Sequence, residues 1–249
     1  MIMSEKKRSV LPIHLLDRYG LKGPYLNYDS TSHLHAKYLQ YVLRPFGVFL
    51  SKSFTHARVL DVASGTGEVA KYWSGLKNLQ MVQTDLSKFA LDRSKGQQRV
   101  RALAQELPFK NASFDVIHMK DALLHIEDQS ELLAEFQRIL KPNGYLLLTS
   151  FEYLKKNFGL ILKSFPMIST LLPYINKKQF ISWASFFEKL KIFDMTPPFF
   201  PVSEKTITKL ASETGFKIVT NNHWTTNWEN PDWTLFPEKR FSILFQKTS

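Results

Sequence analysis

The chain has 249 residues, 44% of them hydrophobic, which suits one α/β domain with a substantial insertion and excludes wholesale disorder. It has no cysteine, which excludes disulfides, thiolate nucleophiles and Cys-ligated zinc and fits a reducing cytoplasm. Lysine and arginine number 33 against 22 acidic residues, a net charge of +11, so an anionic partner has to be weighed. The basic residues are scattered, however. The densest stretch, Lys88 to Arg101, reads as a solvated helix face rather than a nucleic-acid stripe.

Residues 1–56 read as a helical arm, with His33 to Val42 its best helix. Glu5, Lys6, Lys7 and Arg8 precede a short, broken apolar run, so no secretory signal is expected. The aromatics of Tyr28 to Tyr38 suit either the lining of a pocket or the core packing of an amphipathic helix. His33 and His35 stand two apart, on opposite sides of a helix. With no further cluster of His, Asp or Glu, no metal site is expected.

From Ala57 to about Ser150 short apolar strands alternate with helical segments, the pattern of βαβ units and a parallel sheet. Val59-Leu60-Asp61-Val62 is the first strand, Leu79 to Thr84 the second, and Arg99 to Leu103 a short third. Phe114 to Met119 is the fourth. Ser130 to Leu140 then forms an amphipathic helix with Leu132, Leu133, Phe136, Ile139 and Leu140 on one face. Lys141-Pro142-Asn143-Gly144 ends it, because proline cannot continue a helix and glycine permits positive φ. Tyr145 to Thr149 is the fifth strand.

Residues 151–202 break the alternation. They are rich in Phe, Leu, Ile and Lys, are interrupted by five prolines, and read as a helical insertion over the sheet edge. Lys163, Pro166 and Pro173 interrupt its apolar run, so it is not a membrane span. A lid over an apolar acceptor, or peripheral contact with a lipid-like one, suits it better. Ser203 to Thr214 resumes as a helix with Ser203 as N-cap and Gly215 as stop. Phe216 to Val219 and Arg240 to Gln246 are the last strands. No clear helix lies between them, which suggests an antiparallel hairpin at one edge.

The most informative stretch is Asp61-Val62-Ala63-Ser64-Gly65-Thr66-Gly67-Glu68. A strand ends there at a tight loop with two glycines, and a helix follows, so the backbone can approach a nucleotide-sized ligand. Gly65-x-Gly67-x-x-Ala70 also satisfies the dinucleotide fingerprint, with Asp85 at the spacing of a ribose-binding acid. An acidic lead residue disfavours bare phosphate and suits a nucleoside carrying an ammonium group. The loop alone leaves both ligands open.

Asp61 to Gly67 resembles motif I of class I S-adenosylmethionine-dependent methyltransferases, methyltransferase type 11-like, in the group containing the ubiquinone/menaquinone C-methyltransferases. Further matches follow in family order: Thr84-Asp85-Leu86-Ser87, Glu106-Leu107-Pro108-Phe109, Ser113-Phe114-Asp115-Val116, Leu123 to Asp128, and Leu140 to Tyr145. The resemblance covers roughly Ala57 to Ser150. Each element is weak alone, but their joint order is specific.

It implies a Rossmann-like seven-stranded, mostly parallel sheet with an antiparallel edge hairpin, a helical N-terminal arm (1–56) and a methyltransferase domain (57–249) carrying the 151–202 lid. S-Adenosyl-L-methionine is the implied cofactor. Asp61 would receive its ammonium group, and Ala63, Ser64, Gly65, Thr66 and Gly67 would pass beneath it. Asp85 would accept the ribose hydroxyls and Leu86 would pack on adenine. Ordinary helix capping is the alternative for Asp85. Leu103 occupies the place where many relatives carry an acid for the adenine amino group, which leaves Ala104 and Gln105 as candidates. Leu107-Pro108-Phe109 reads as core packing. Lys120 would line the methionine end. His125 and Asp121 are candidate general bases, with structural roles as the alternative.

The expected function is methyl transfer to a small, apolar or aromatic acceptor by direct displacement. An RNA or protein methyltransferase using the basic surface, or a non-catalytic binder on the same fold, are the alternatives. No RNA-binding module and no Asn/Asp-Pro-Pro-Tyr signature is visible.

Overall fold

The computed structural model describes residues 32–94, 98–152, 200–225 and 239–248. Most of the 151–202 insertion, and all of the arm before residue 32, therefore lie outside the described residues. Helix α1 (Ser32–Ser53) runs through Pro45. The sequence places the best helix of the arm at His33 to Val42, whereas the helix continues through Pro45, an interior proline that costs about 3 kcal/mol. Leu43, Phe46 and Leu50 are all but fully buried on one face. Each such side chain gains about 1.5–3 kcal/mol on burial, which outweighs the proline.

Seven strands form one sheet in the order β3-β2-β1-β4-β5-β7-β6. They are β1 (Ala57–Val62), β2 (Leu79–Asp85), β3 (Gln98–Arg101), β4 (Phe114–Lys120), β5 (Leu140–Phe151), β6 (Phe216–Thr225) and β7 (Lys239–Lys247). The first five pair in parallel, and β7 lies antiparallel between β5 and β6. The expected antiparallel edge hairpin is present. The buried positions of β1 and β4 are mostly apolar because helices cover both faces, with Asp61 and His118 as the buried polar exceptions.

One face packs Leu43, Phe46 and Leu50 of α1, and Val69 and Trp73 of α2 (Glu68–Trp73), against Val59, Val116, Leu147 and Leu244. The opposite face packs Leu132, Leu133, Phe136 and Ile139 of α4 (Gln129–Ile139) against Leu60, Val62, Ile117 and Met119. Helix α3 (Lys88–Arg93) follows β2, and α5 (Glu204–Glu213) buries Ile207 and Ala211 in the α4 layer. Ser203 caps α5 as expected, its hydroxyl accepting the Thr206 N–H at 3.1 Å.

Two boundaries differ from the sequence expectation. Strand β5 starts at Leu140, directly after α4, where a turn at Lys141 to Gly144 is expected. Leu140 pairs with Phe114 and the register then shifts before Val116 and Tyr145, so the turn residues occupy an irregular stretch of strand. Asn143 sits there at φ 61°, and a Cβ on Gly144 would press on the Lys141 and Asp115 carbonyls. A bulge absorbs proline and positive φ within a strand. Strand β6 also runs beyond Val219 to Thr225, held by pairing with β7 across a second register shift. Among the described residues, no helix is long and apolar enough to cross a membrane.

Candidate active site

Strand β1 lies between β2 and β4, so the chain's crossovers diverge on either side of it. In an open α/β sheet, ligands bind at that switch point, outside the carboxyl ends of the strands. The loop after β1 opens there. Ala63 has φ 52°, Gly65 55° and Gly67 81°. A left-handed alanine costs about 1–2 kcal/mol, so the turn is held by its surroundings. Ser64 donates its N–H to the Thr84 carbonyl at 2.9 Å, and Gly67 donates to the Ser64 carbonyl at 3.0 Å. A Cβ at Gly67 would overlap the Ser94 hydroxyl and press on the Gln83 amide. Those two side chains are buried and bonded to each other, Ser94 Oγ to Gln83 Oε1 at 2.7 Å.

Asp85 ends β2 and is 5% exposed. Its Oδ2 accepts the Gly65 N–H and its Oδ1 the Ser87 N–H, each at 2.8 Å. Burial raises its pKa above the ordinary carboxylate range. The two N–H donors pull it back down, and the nearby Asp61 charge adds to the rise. Ser87 caps α3 in turn, accepting from Ala90 N–H. The capping alternative for Asp85 therefore describes part of its surroundings, since the carboxylate secures the residue that caps α3.

Asp61, 1% exposed, meets an unexpected partner, its Oδ1 lying 2.8 Å from His118 Nδ1 of β4. The two residues are register partners on adjacent parallel strands. Among the described residues, Asp61 Oδ2 has no hydrogen-bond partner, nor do the buried Ser64 Oγ, Thr84 Oγ1, Gln105 Oε1, Gln83 Nε2 and His118 Nε2. Buried polar atoms without partners are rare in folded proteins. Four of these six are oxygens, and those of Asp61, Ser64 and Thr84 join Asp85 as acceptors at a loop shaped for close approach. A ligand with an ammonium, two ribose hydroxyls and an adenine amino group supplies the matching donors. S-Adenosylmethionine fits this set, whereas a pyrophosphate would meet two carboxylates.

Comparison with known proteins points the same way. The family described as "Methyltransferase domain" matches residues 60–148. The ubiquinone/menaquinone biosynthesis C-methyltransferase UbiE of Hahella chejuensis is 31% identical over 50% of this chain and 55% of its own length. The chain thus spans about half the length of that relative. The enzyme of the same name from Pseudomonas paraeruginosa is 27% identical over 80% of each chain. Together these findings support a class I S-adenosylmethionine-dependent methyltransferase, with the methyltransferase domain at residues 60–148. Solved structures share the fold at low identity. Haemonchus contortus phosphoethanolamine N-methyltransferase 2 in complex with S-adenosyl-L-methionine has a TM-score of 0.53 and 16% identity, over 82% of this chain and 53% of that one. The cyclase SpnF has a TM-score of 0.58 and 12% identity, over 83% of this chain and 80% of that one. A cyclase among the neighbours illustrates that the fold alone does not name a reaction.

At the carboxyl end of β4, Lys120 closes the strand and Asp121 follows at φ 53°. The Asp121 carboxylate lies 3.1 Å from Lys120 Nζ and 3.4 Å from Arg240 Nη1 of β7. His125 closes a short 3-10 turn (Leu123–His125), half-buried, its N–H on the Ala122 carbonyl at 3.0 Å. Leu86 follows β2 and is also half-buried. Ala104 is 9% exposed and Gln105 half-buried, in the segment after β3. Leu107 is core, as expected, and Phe109 stacks edge-on against Phe114 at 4.8 Å. Among the described residues, no group of three His, Asp or Glu side chains is placed to hold a metal.

Sequence reasoning missed His118, Arg240 and Arg138. For His118 a signal existed, because a polar residue between Ile117 and Met119 in a strand read as central is buried and needs a partner. Arg240 and Arg138 act through contacts made across long stretches of sequence, with no local pattern.

Proposed function

We propose that this methyltransferase moves the methyl group of S-adenosylmethionine onto a small, apolar or aromatic acceptor. The observation that supports the reading best is the set of unpartnered buried oxygens beside the Ala63–Gly67 loop, matched to a donor-rich nucleoside. In this reading Asp61 takes the ammonium through Oδ2, and Asp85 takes the ribose hydroxyls through lone pairs left after Gly65 and Ser87. Leu86 packs on adenine, Ala104 and Gln105 meet its edge, and Lys120 borders the methionine end. Ala63, Ser64, Gly65, Thr66 and Gly67 bring the backbone beneath the ligand.

The cofactor, when bound, supplies a methyl on a positively charged sulfur that leaves as a neutral thioether. The protein's task is then to align the acceptor and take the proton it sheds. His125 is our candidate for that base, because the Asp121 carboxylate is held between Lys120 and Arg240 and is better suited to positioning. The relatives' names describe C-methylation in quinone biosynthesis, which makes an electron-rich ring carbon the acceptor we favour. The cysteine-free chain suits a cytoplasmic setting for this chemistry.

The test is transfer of labelled methyl from S-adenosylmethionine to a panel of hydroquinones, phenols and amines. Label moving into an organic-extractable product supports the proposal. Label moving only into added RNA or protein contradicts it.

A further inference from the structure

We propose that His118 is a positioning residue for the amino end of the cofactor, acting through Asp61. The inference rests on the reading above that Asp61 receives the ammonium group. His118 occupies the β4 position facing Asp61 in register, and its ring is 0% exposed. An ionised carboxylate only accepts, so the 2.8 Å contact requires the proton on Nδ1. Among the described residues, that bond consumes Oδ1 and leaves Asp61 Oδ2 and the ring's own Nε2 unpartnered.

The rest of this sheet face argues that the imidazole is there for Asp61. Its neighbours Val59, Val116, Leu147 and Val69 are apolar, and an aliphatic residue at 118 would extend the same packing. A buried histidine costs desolvation that a Val or Leu would avoid. In return, the carboxylate is fixed in one rotamer with a single free oxygen. Trp73 steadies the ring from the other side, its plane at 69° and 5.3 Å between centroids. Its indole N–H reaches the Leu43 carbonyl at 3.4 Å, which links α1 to the Asp61–His118 pair. The result is a preorganised acceptor, aimed before the ligand arrives.

The test compares two ligands on three variants by calorimetry. S-Adenosylhomocysteine carries the aminocarboxyl group, whereas 5′-methylthioadenosine keeps the nucleoside and thioether and lacks it. His118→Leu should lose at least about tenfold in S-adenosylhomocysteine affinity, the worth of a charged hydrogen bond, with methylthioadenosine affinity unchanged. His118→Asn sets an amide nitrogen near the Nδ1 position and should recover most of the loss. His118→Gln sets it near Nε2 and should not. If His118→Leu does not fold, the Asn and Gln variants decide the matter between them.

Equal losses for both ligands, no loss for either, or Gln rescuing as well as Asn would overturn the inference. Binding of neither ligand by the unaltered protein would overturn the cofactor reading, and this inference with it. Binding of both, with a ratio unmoved by His118→Leu, would overturn the inference alone.

Discussion

Asp85 ties the Gly65 amide to the start of α3, one carboxylate oxygen on each N–H at 2.8 Å. The cofactor loop is therefore fastened from beneath by the same group proposed to hold the ribose. Loop shape and ligand affinity share one side chain, so substitutions at Asp85 report on both.

Asp85→Ala is expected to weaken S-adenosylhomocysteine binding by about a hundredfold, since it removes the ribose acceptor and unpins Gly65. The fold is expected to persist, because the substitution also relieves a buried charge. Calorimetry and a thermal melt on the same sample separate the two effects.

The raised pKa of Asp85 has a consequence with a definite sign. The folded protein holds this proton more tightly than the unfolded chain does. Its contribution to stability therefore falls as pH rises from about 4, the ordinary carboxylate value, through the raised one, and is flat above. Asp85→Asn lacks that term. Wild-type stability relative to Asp85→Asn is thus expected to be greatest at acidic pH and to decline to a plateau in denaturant titrations. Ribose hydroxyls favour the ionised carboxylate, so cofactor affinity is expected to rise over the same window.

Gly67→Ala is expected to cost about 2–4 kcal/mol, from left-handed backbone strain and loss of the Ser94–Gln83 bond. Urea denaturation measures it. Ala63→Gly, at φ 52°, relieves strain and is expected to be neutral or mildly stabilising.

Arg138 fastens residues 107–111, the stretch that follows Ala104 and Gln105. Its guanidinium donates to the Phe109 carbonyl at 2.8 Å, the Leu107 carbonyl at 3.0 Å and the Asn111 side chain at 2.9 Å. Glu135 Oε1 accepts both the Leu107 N–H and the Arg138 guanidinium, each at 2.7 Å. Arg138→Ala is expected to destabilise by about 2 kcal/mol and to weaken adenine-containing ligands more than tenfold. Arg138→Lys cannot reproduce the fork and should recover little. A melt paired with a calorimetric titration checks both.

Much of this was legible beforehand. Val59 to Val62 and Phe114 to Met119 are short stretches rich in β-branched and other apolar residues, and Ser203 is a capping residue three positions before an amide that needs a partner, so those elements follow from local chemistry. The αL loop at Gly65 and Gly67 follows from glycine's freedom. The extension of α1 past Val42 was not legible, because the local cost of Pro45 is outweighed by tertiary burial of Leu43, Phe46 and Leu50. The start of β5 at Leu140 misled because a bulge carries Pro142 and Asn143 inside a strand. The Asp61–His118 pair depends on the register of two strands 57 residues apart. No window on the sequence reports that register. The acceptor side depends similarly on β7 delivering Arg240 to Asp121.

The most direct measurement is calorimetric titration of the unaltered protein with S-adenosylhomocysteine, with NAD as the competing ligand. The expected result is saturable binding of S-adenosylhomocysteine at one site per chain and no heat with NAD. Folded protein that binds NAD, or that leaves S-adenosylhomocysteine unbound at millimolar concentration, would contradict the assignment of the Asp61 to Gly67 loop and of Asp85.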